Sequence, residues 1–222
     1  MYTFFLFRRT ILNHSHPARE EERDEFLFVG NQLGLDFLNT RPVLDGEPHE
    51  LLPDFAALLR WFQAAGLLQR KKTNELLRQW EKSERSERVL ASLIGFRERL
   101  RNAVLAWEET GTVPNAMITE LNRLLGQHPM LMKLSSDGSS LLANLWFEAH
   151  EPEDLFAPVV HSVATLFANA DQSRVRKCGQ CVLHFLDTSK KGTRRWCSMQ
   201  LCGNRVKVAA YAQRRRGKIS IR

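Results

Sequence analysis

Apolar residues recur at helical spacing along most of the first two-thirds of the chain. Leu52–Ala65 places Phe55, Leu58, Leu59 and Phe62 on one face, with Pro53 near its start and Gly66 just past its end. That is the pattern of an amphipathic helix. A shorter helix is expected over Thr73–Glu81. The longest spans Ser86–Thr110, where Leu90, Leu93, Ile94, Leu100, Val104 and Trp107 share a side and Gly111 ends the run. Pro114–Leu125 follows, with Met117, Ile118, Leu121 and Leu124 inward. The pattern then changes. Met130–Leu134 and Leu141–Phe147 flank Ser135-Ser136-Asp137-Gly138-Ser139, which reads as a β-hairpin with a glycine-containing loop. Glu151–Ala170 returns to helix, beginning among acidic residues and perturbed by Pro158. The expectation is an α+β chain whose body is mainly helical and carries one hairpin.

The composition is that of an ordinary globular protein: 222 residues, 43% hydrophobic and 26% charged. No stretch is apolar for long enough to span a bilayer. Tyr2–Phe7 is too short for a signal-peptide core, and neither Arg8–Arg9 nor Ser15–Asp24 after it offers a small-residue cleavage site. A soluble, cytoplasmic protein is expected. Residues 1–25 read as an extension with no assigned role, either an over-called start or a disordered stretch.

Charge divides the rest. Residues 174–222 hold 14 Lys and Arg against one acid, Asp187, whereas residues 1–173 hold 18 basic and 24 acidic side chains. The chain thus divides into an acidic body (26–172) and a strongly basic tail domain (173–222), and the tail asks for an anionic partner.

All four cysteines, Cys178, Cys181, Cys197 and Cys202, lie in that tail. Their spacing, Cys-x2-Cys, fifteen residues, then Cys-x4-Cys, delivers two close pairs of thiolates, the donor set of a tetrahedral structural Zn²⁺. Gly179 allows the tight turn of a zinc knuckle. A unit this small rarely folds on an apolar core alone, and a structural ion supplies the difference. Two disulfides would require an oxidising compartment, and a redox pair a preceding βαβ pattern that the helical Val159–Ala170 does not offer. Iron suits four thiolates as well as zinc does. His184 is read as a hairpin side chain. Val182–Asp187 has strand character and turns at Thr188–Gly192, and a second short strand is expected through Arg194, Arg195 and Trp196.

After Gly203 nothing breaks a helix until Gly217. Val206, Ala209, Ala210 and Gln213 share one face; Lys207, Tyr211, Arg214 and Lys218 share another. Arg194, Arg195, Arg205, Lys207, Arg214, Arg215 and Arg216 are candidates for phosphate contacts, and Asn204 or Arg205 for a base edge, Asn204 being equally a helix cap. A solvated helix end, or a tail docked on an acidic partner or on its own acidic body, would also account for the charge. RNA is less favoured, because only Trp196 and Tyr211 accompany the cations.

The string Arg194-Arg195-Trp196-Cys197-Ser198-Met199-Gln200-Leu201-Cys202-Gly203-Asn204-Arg205 resembles the CGNR zinc finger, and Cys178-x2-Cys181 with Phe185-x-Asp187-x-Ser189 matches the same pattern. Gly30-Asn31-Gln32-Leu33-Gly34-Leu35-Asp36-Phe37-Leu38-Asn39-Thr40 is similar to the opening of the ABATE domain, and Leu51–Leu68 to its next segment. The resemblance implies a treble-clef-like finger, an α+β ABATE module, a bacterial source and a role in stress-linked transcriptional regulation.

Asn31, Asp36 and Asn39 form the one polar cluster of the body that suggests a ligand. Asn31 reads more simply as a helix N-cap, and Asp36 and Asn39 as ties between that helix and neighbouring backbone. His128, His150 and His161 lack metal-ligand spacing. No phosphate loop, nucleophile elbow or His-Glu-x-x-His pattern occurs, so no enzyme is expected. The combined expectation is a DNA-binding regulator with a structural zinc finger, its body sensing an unidentified small-molecule signal or mediating oligomerisation.

Overall fold

The computed structural model describes residues 22–204 apart from Asp24, Asp45, Asp137 and Ser139. Two minimal strand pairs, β1 (Glu22–Arg23) with β2 (Phe26–Leu27) and β3 (Val43–Leu44) with β4 (Glu47–Pro48), bracket the short helix α1, Leu33–Leu38. Helices α2 (Phe55–Ala64), α3 (Arg70–Trp80), α4 (Glu84–Thr110) and α5 (Asn115–Gln127) follow. Next come the hairpin of β5 (Leu131–Ser136) and β6 (Leu141–Trp146), then α6 (Phe156–Asn169). A second hairpin, β7 (Val175–Lys177) with β8 (His184–Leu186), carries the chain into the cysteine-rich lobe. Among the described residues no helix is long and apolar enough to cross a membrane.

Local chemistry explains the helix ends. Asp54 caps α2 by accepting from the Ala57 N–H, Ser83 caps α4, and Gly111 closes α4 in the left-handed conformation at φ 75°. Pro158 does not distort α6. A turn of 3-10 helix, Pro152–Leu155, starts the segment, and Pro158 then lies in the first turn of α6, where its missing N–H has no helical acceptor to lose.

Trp61 sits at the centre of the body, fully buried, with the rings of Phe28, Phe37 and Phe62 packed 5.3–6.1 Å from it. The inward stripe of α4 is Val89, Leu93, Phe96, Leu100, Val104 and Trp107. Leu90 and Ile94, expected on that stripe, flank it half-buried. Arg97, fully buried on the same face, donates to Glu50 and Thr40 at 2.8 Å and to Glu98 at 3.0 Å. It joins α4 to the loop after β4.

Helix α1 is fixed by its contacts with α6. Gly34 faces α6 so closely that an added Cβ would stand 2.7 Å from Val163 Cγ2, and the Gly34 N–H donates to Ser162 Oγ at 3.0 Å. Gln32 caps α1 through its side chain and donates to both Ser162 Oγ and the Ser162 carbonyl. Asn31, expected as that cap, stands one residue earlier in the left-handed conformation, φ 58°.

Candidate metal centre and its seat on the helical body

The strand expected through Arg194–Trp196 does not form. β8 pairs instead with β7, which precedes the first cysteine pair, so Cys178-Gly179-Gln180-Cys181 lies within the hairpin connection. The knuckle itself reverses the chain, and β7 is the segment this brings alongside β8. The Cys178 N–H donates to the Leu183 carbonyl at 2.8 Å, and the Gly179 N–H to the Arg195 carbonyl at 3.0 Å, which draws the second pair toward the first. Ser198, fully buried, starts the turn Met199–Gly203, its hydroxyl accepting from the Gln200 and Leu201 N–H groups. That turn delivers Cys202 beside Cys197.

All four sulfurs consequently lie within 4.8 Å of one another. Cys181 to Cys197 is 3.7 Å and Cys197 to Cys202 is 3.6 Å. A disulfide requires about 2.05 Å, whereas tetrahedral ligands at about 2.3 Å from a shared ion are about 3.8 Å apart. The spacing fits an ion, not a cystine. His184 lies outside the cluster.

Four sulfurs confined together cannot all ionise unaided. A hydrogen bond from the Cys197 thiol, together with further donors, holds Cys181 down to about 5. That same hydrogen bond pushes Cys197 up, with burial adding to it, and burial together with the Cys181 charge pushes Cys202 up to about 12. A divalent cation removes the conflict by offering positive charge to every thiolate at once. The donor set fits a soft-ligand metal.

The cations around the cluster divide into two groups. Arg174 donates to the Asp187 and Ser189 carbonyls at 3.1 and 2.8 Å, and Arg176 to the Gly192 carbonyl at 2.8 Å. Arg194, proposed from sequence for phosphate, turns inward. Its guanidinium stacks 4.8 Å from the Phe185 ring and donates to the Trp196 and Cys197 carbonyls. Arg195 is exposed, as are Lys177, Lys190, Lys191 and Asn204. The three lysines carry no sequence pattern of their own; only the folded lobe shows their exposure. Arg205, Lys207, Arg214, Arg215 and Arg216, with the helix expected around them, lie outside the described residues, as do residues 1–21.

Asp187 holds the loop between the cysteine pairs. It is 1% exposed, and its carboxylate accepts from the Ser189 and Arg194 N–H groups at 2.9 and 2.8 Å. Burial alone would raise its pKa, but these donors and the Ser189 side chain hold it below the usual carboxylate range. Stability from such a group is present above the unfolded-state pKa and is lost as pH falls through the folded one. Acid should therefore loosen this loop, and Asp187→Ala should cost about 1–3 kcal/mol at pH 7. Denaturant unfolding of parent and variant at pH 7, monitored by Trp fluorescence, measures this cost.

The polar cluster of the body meets this lobe. β7 occupies one edge of β8, leaving the other edge open. The Leu186 N–H donates to the Gly30 carbonyl at 2.8 Å, and the Leu186 carbonyl accepts from Asn31 Nδ2 at 2.9 Å. Asn39 pairs twice with His184, accepting from its N–H at 2.9 Å and donating to its carbonyl at 2.8 Å, as a strand neighbour would. Asp36 accepts from the Gly30 N–H at 2.7 Å; a Cβ on Gly30 would meet Leu35 and Asp36 within 3.0 Å. Asn31, Asp36 and Asn39 thus clasp backbone. Beneath the clasp, buried His184 places Nε2 3.3 Å from a carboxylate oxygen of Glu108 on α4. The apolar packing also crosses the seam. Val29 joins the cluster around the cysteines, and Val175 joins the core of the body.

A helical body whose first helix grips the edge of a four-cysteine finger defines a two-module metal-finger protein. The chain belongs to the ABATE family: the family model described as "Putative stress-induced transcription regulator" matches residues 31–170, and the CGNR zinc finger model matches residues 174–215. A search of the curated proteins found no match.

Proposed function

We infer that the protein is a DNA-binding transcription regulator that acts in the cytoplasm, where its thiols stay reduced. Zn²⁺ is the ion suited to Cys178, Cys181, Cys197 and Cys202, and it supplies a rigid cross-link between the knuckle and the turn that carries Cys202. Four protein ligands leave a tetrahedral ion no open position, which favours a binding protein over an enzyme. Knuckle, hairpin and following helical turn agree with a treble-clef arrangement.

The observation that carries the DNA reading is the division of the basic residues. Arg174, Arg176 and Arg194 satisfy carbonyls of the lobe, while Lys177, Lys190, Lys191 and Arg195 face outward. The outward set suits a phosphate backbone, and the sequence of residues 205–222 carries further cations. The body acts as sensor or assembly module, and its clasp on β8 is the route by which a change in the body reaches the finger.

Fluorescence anisotropy with a labelled duplex tests this. With about five phosphates neutralised, log affinity falls against log salt with a slope of roughly −4.5. Lys190→Ala with Lys191→Ala should flatten that slope by about one to two. A slope near zero in the parent protein rejects the proposal.

A further inference from the structure

The hairpin β5–β6 is attached to the body but not absorbed by it. Leu131, Met132, Leu134, Leu141, Leu142 and Trp146 are all exposed, Leu141 to 75%. An isolated two-stranded hairpin is marginal in water, so a hairpin carrying this much apolar surface gains from a covering partner.

The register sorts its two faces. Met132 opposes Leu145, Leu134 opposes Ala143 and Ser136 opposes Leu141, so these six share one face, apolar but for a single hydroxyl. The opposite face pairs Leu131 with Trp146, Lys133 with Asn144 and Ser135 with Leu142. There Lys133 lies 4.5 Å over the Trp146 ring, and Asn144 donates to Ser135 at 3.0 Å. That second face keeps its polar groups occupied within the hairpin, with Leu131, Leu142 and Trp146 exposed beside them. The first has no charge with which to recognise nucleic acid or an acidic protein.

We propose that the face of Met132, Leu134, Ala143, Leu141 and Leu145 is a self-association surface, on which two copies of the chain pack hairpin against hairpin as a homodimer. Shape supports a second copy as the occupant. Bulky Leu134 and Leu141 sit diagonally, each opposite a small residue, Ala143 or Ser136. A two-fold rotation can therefore set the ridges of one copy into the hollows of the other, as an isologous contact requires. Size is compatible: with Met132, Leu134 and Leu141 65–75% exposed, the face offers on the order of 500 Å², so two copies bury up to about 1,000 Å², the low end of specific interfaces.

Sedimentation velocity on the full chain up to 100 µM tests the dimer with no DNA present, so its outcome is independent of whether the finger binds a duplex. A dimer of 25.6 kDa chains is expected for the parent. Leu134→Lys with Leu141→Lys should weaken association at least about 100-fold, because four ammonium groups would meet in one apolar contact. Both sites are solvent-exposed, so far-UV circular dichroism and metal content should stay at parental values, separating lost association from lost fold. Ser135→Lys, on the opposite face, should remain dimeric. A parent that is monomeric at 100 µM overturns the proposal and leaves the face to a different protein. It is equally overturned if the double variant still dimerises, or if Ser135→Lys dissociates the dimer to the same extent.

Discussion

Cys197→Ser is expected to strip the protein of its bound metal and to unfold the finger while leaving the helices of the body in place. Cys197 is fully buried, and its sulfur lies 3.7 and 3.6 Å from those of Cys181 and Cys202, so it belongs to both halves of the cluster. The apolar cluster around it is small: Val29, Leu183, Phe185 and the cysteines, with Trp196, Leu201 and Leu27 at its margin. A core of that size does not hold a hairpin and two loops together, and structural zinc contributes about 10–16 kcal/mol in comparable units. The body rests on its own cluster, centred on Trp61, Phe62, Leu93 and Phe96, and should keep most of its helical signal. Metal analysis should fall from one ion per chain to none, and the amides of Val175–Lys177 and His184–Leu186 should lose protection from exchange. Under the proposed DNA-binding role, duplex affinity should drop at least about 100-fold, a loss of about 2.7 kcal/mol. Because the ligands are thiolates, acidifying the parent should release the ion in the same manner. A variant that keeps one ion per chain and a protected hairpin contradicts the metal-centred account of this lobe.

Asn39→Ala should break the seat of the finger without touching the metal. Asn39 is 2% exposed, and its amide satisfies both backbone groups of His184, in a place where water cannot readily substitute. Truncation leaves a buried N–H and a buried carbonyl unpaired, which costs about 2–5 kcal/mol. Asn39→Asp should recover little. It keeps the acceptor for the His184 N–H but turns a carboxylate oxygen toward the His184 carbonyl. The expected readings are unchanged metal content, a lower thermal midpoint, and exchange at the His184 amide faster by roughly 30-fold or more. Unchanged exchange and an unchanged midpoint would mean that the clasp carries no energy. The pair of variants separates two roles that one deletion would merge: the ion organises the finger, and the clasp joins it to the body.

These two sites differ in how far the sequence disclosed them. Cysteine ligands come in pairs close along the chain, because two thiolates a few residues apart reach one ion through a tight turn. Spacing therefore exposed all four. The helices were legible for a similar reason, since a 3.6-residue period shows which side must leave water. The boundaries moved by a few residues, and α3 opens at Arg70 rather than Thr73, because its first turn, Arg70-Lys71-Lys72, is polar and carries no apolar stripe.

The hairpin β5–β6 was legible as an element but not as a surface. Alternation and a glycine turn predict the strands. Nothing in them tells that both faces stay in water, because that depends on what the rest of the chain fails to bring near.

Arg97 was not legible at all. It occupies the inward stripe of α4 as an apolar residue would, and its partners Glu50 and Thr40 lie 47 and 57 positions away. A buried cation is tolerable only once those partners are in place. Asn31, Asp36 and Asn39 stood between two readings for the same reason. A polar side chain in an apolar stretch announces that it needs a partner, not whether that partner is a ligand or backbone far along the chain. Here Asn31 and Asn39 meet Leu186 and His184, 155 and 145 residues on, while Asp36 meets Gly30, six residues back.

Pattern and spacing along the chain were thus enough for the helices, the hairpin, the metal ligands and the charge split, since each rests on residues that are near neighbours in sequence. The pairing of β7 with β8, the inward turn of Arg194, the buried Arg97 network and the clasp of α1 on the finger rest on groups that meet only after folding. In the Arg97 network and the clasp, buried polar groups 47 to 155 positions apart satisfy one another, and that satisfaction exists only in three dimensions.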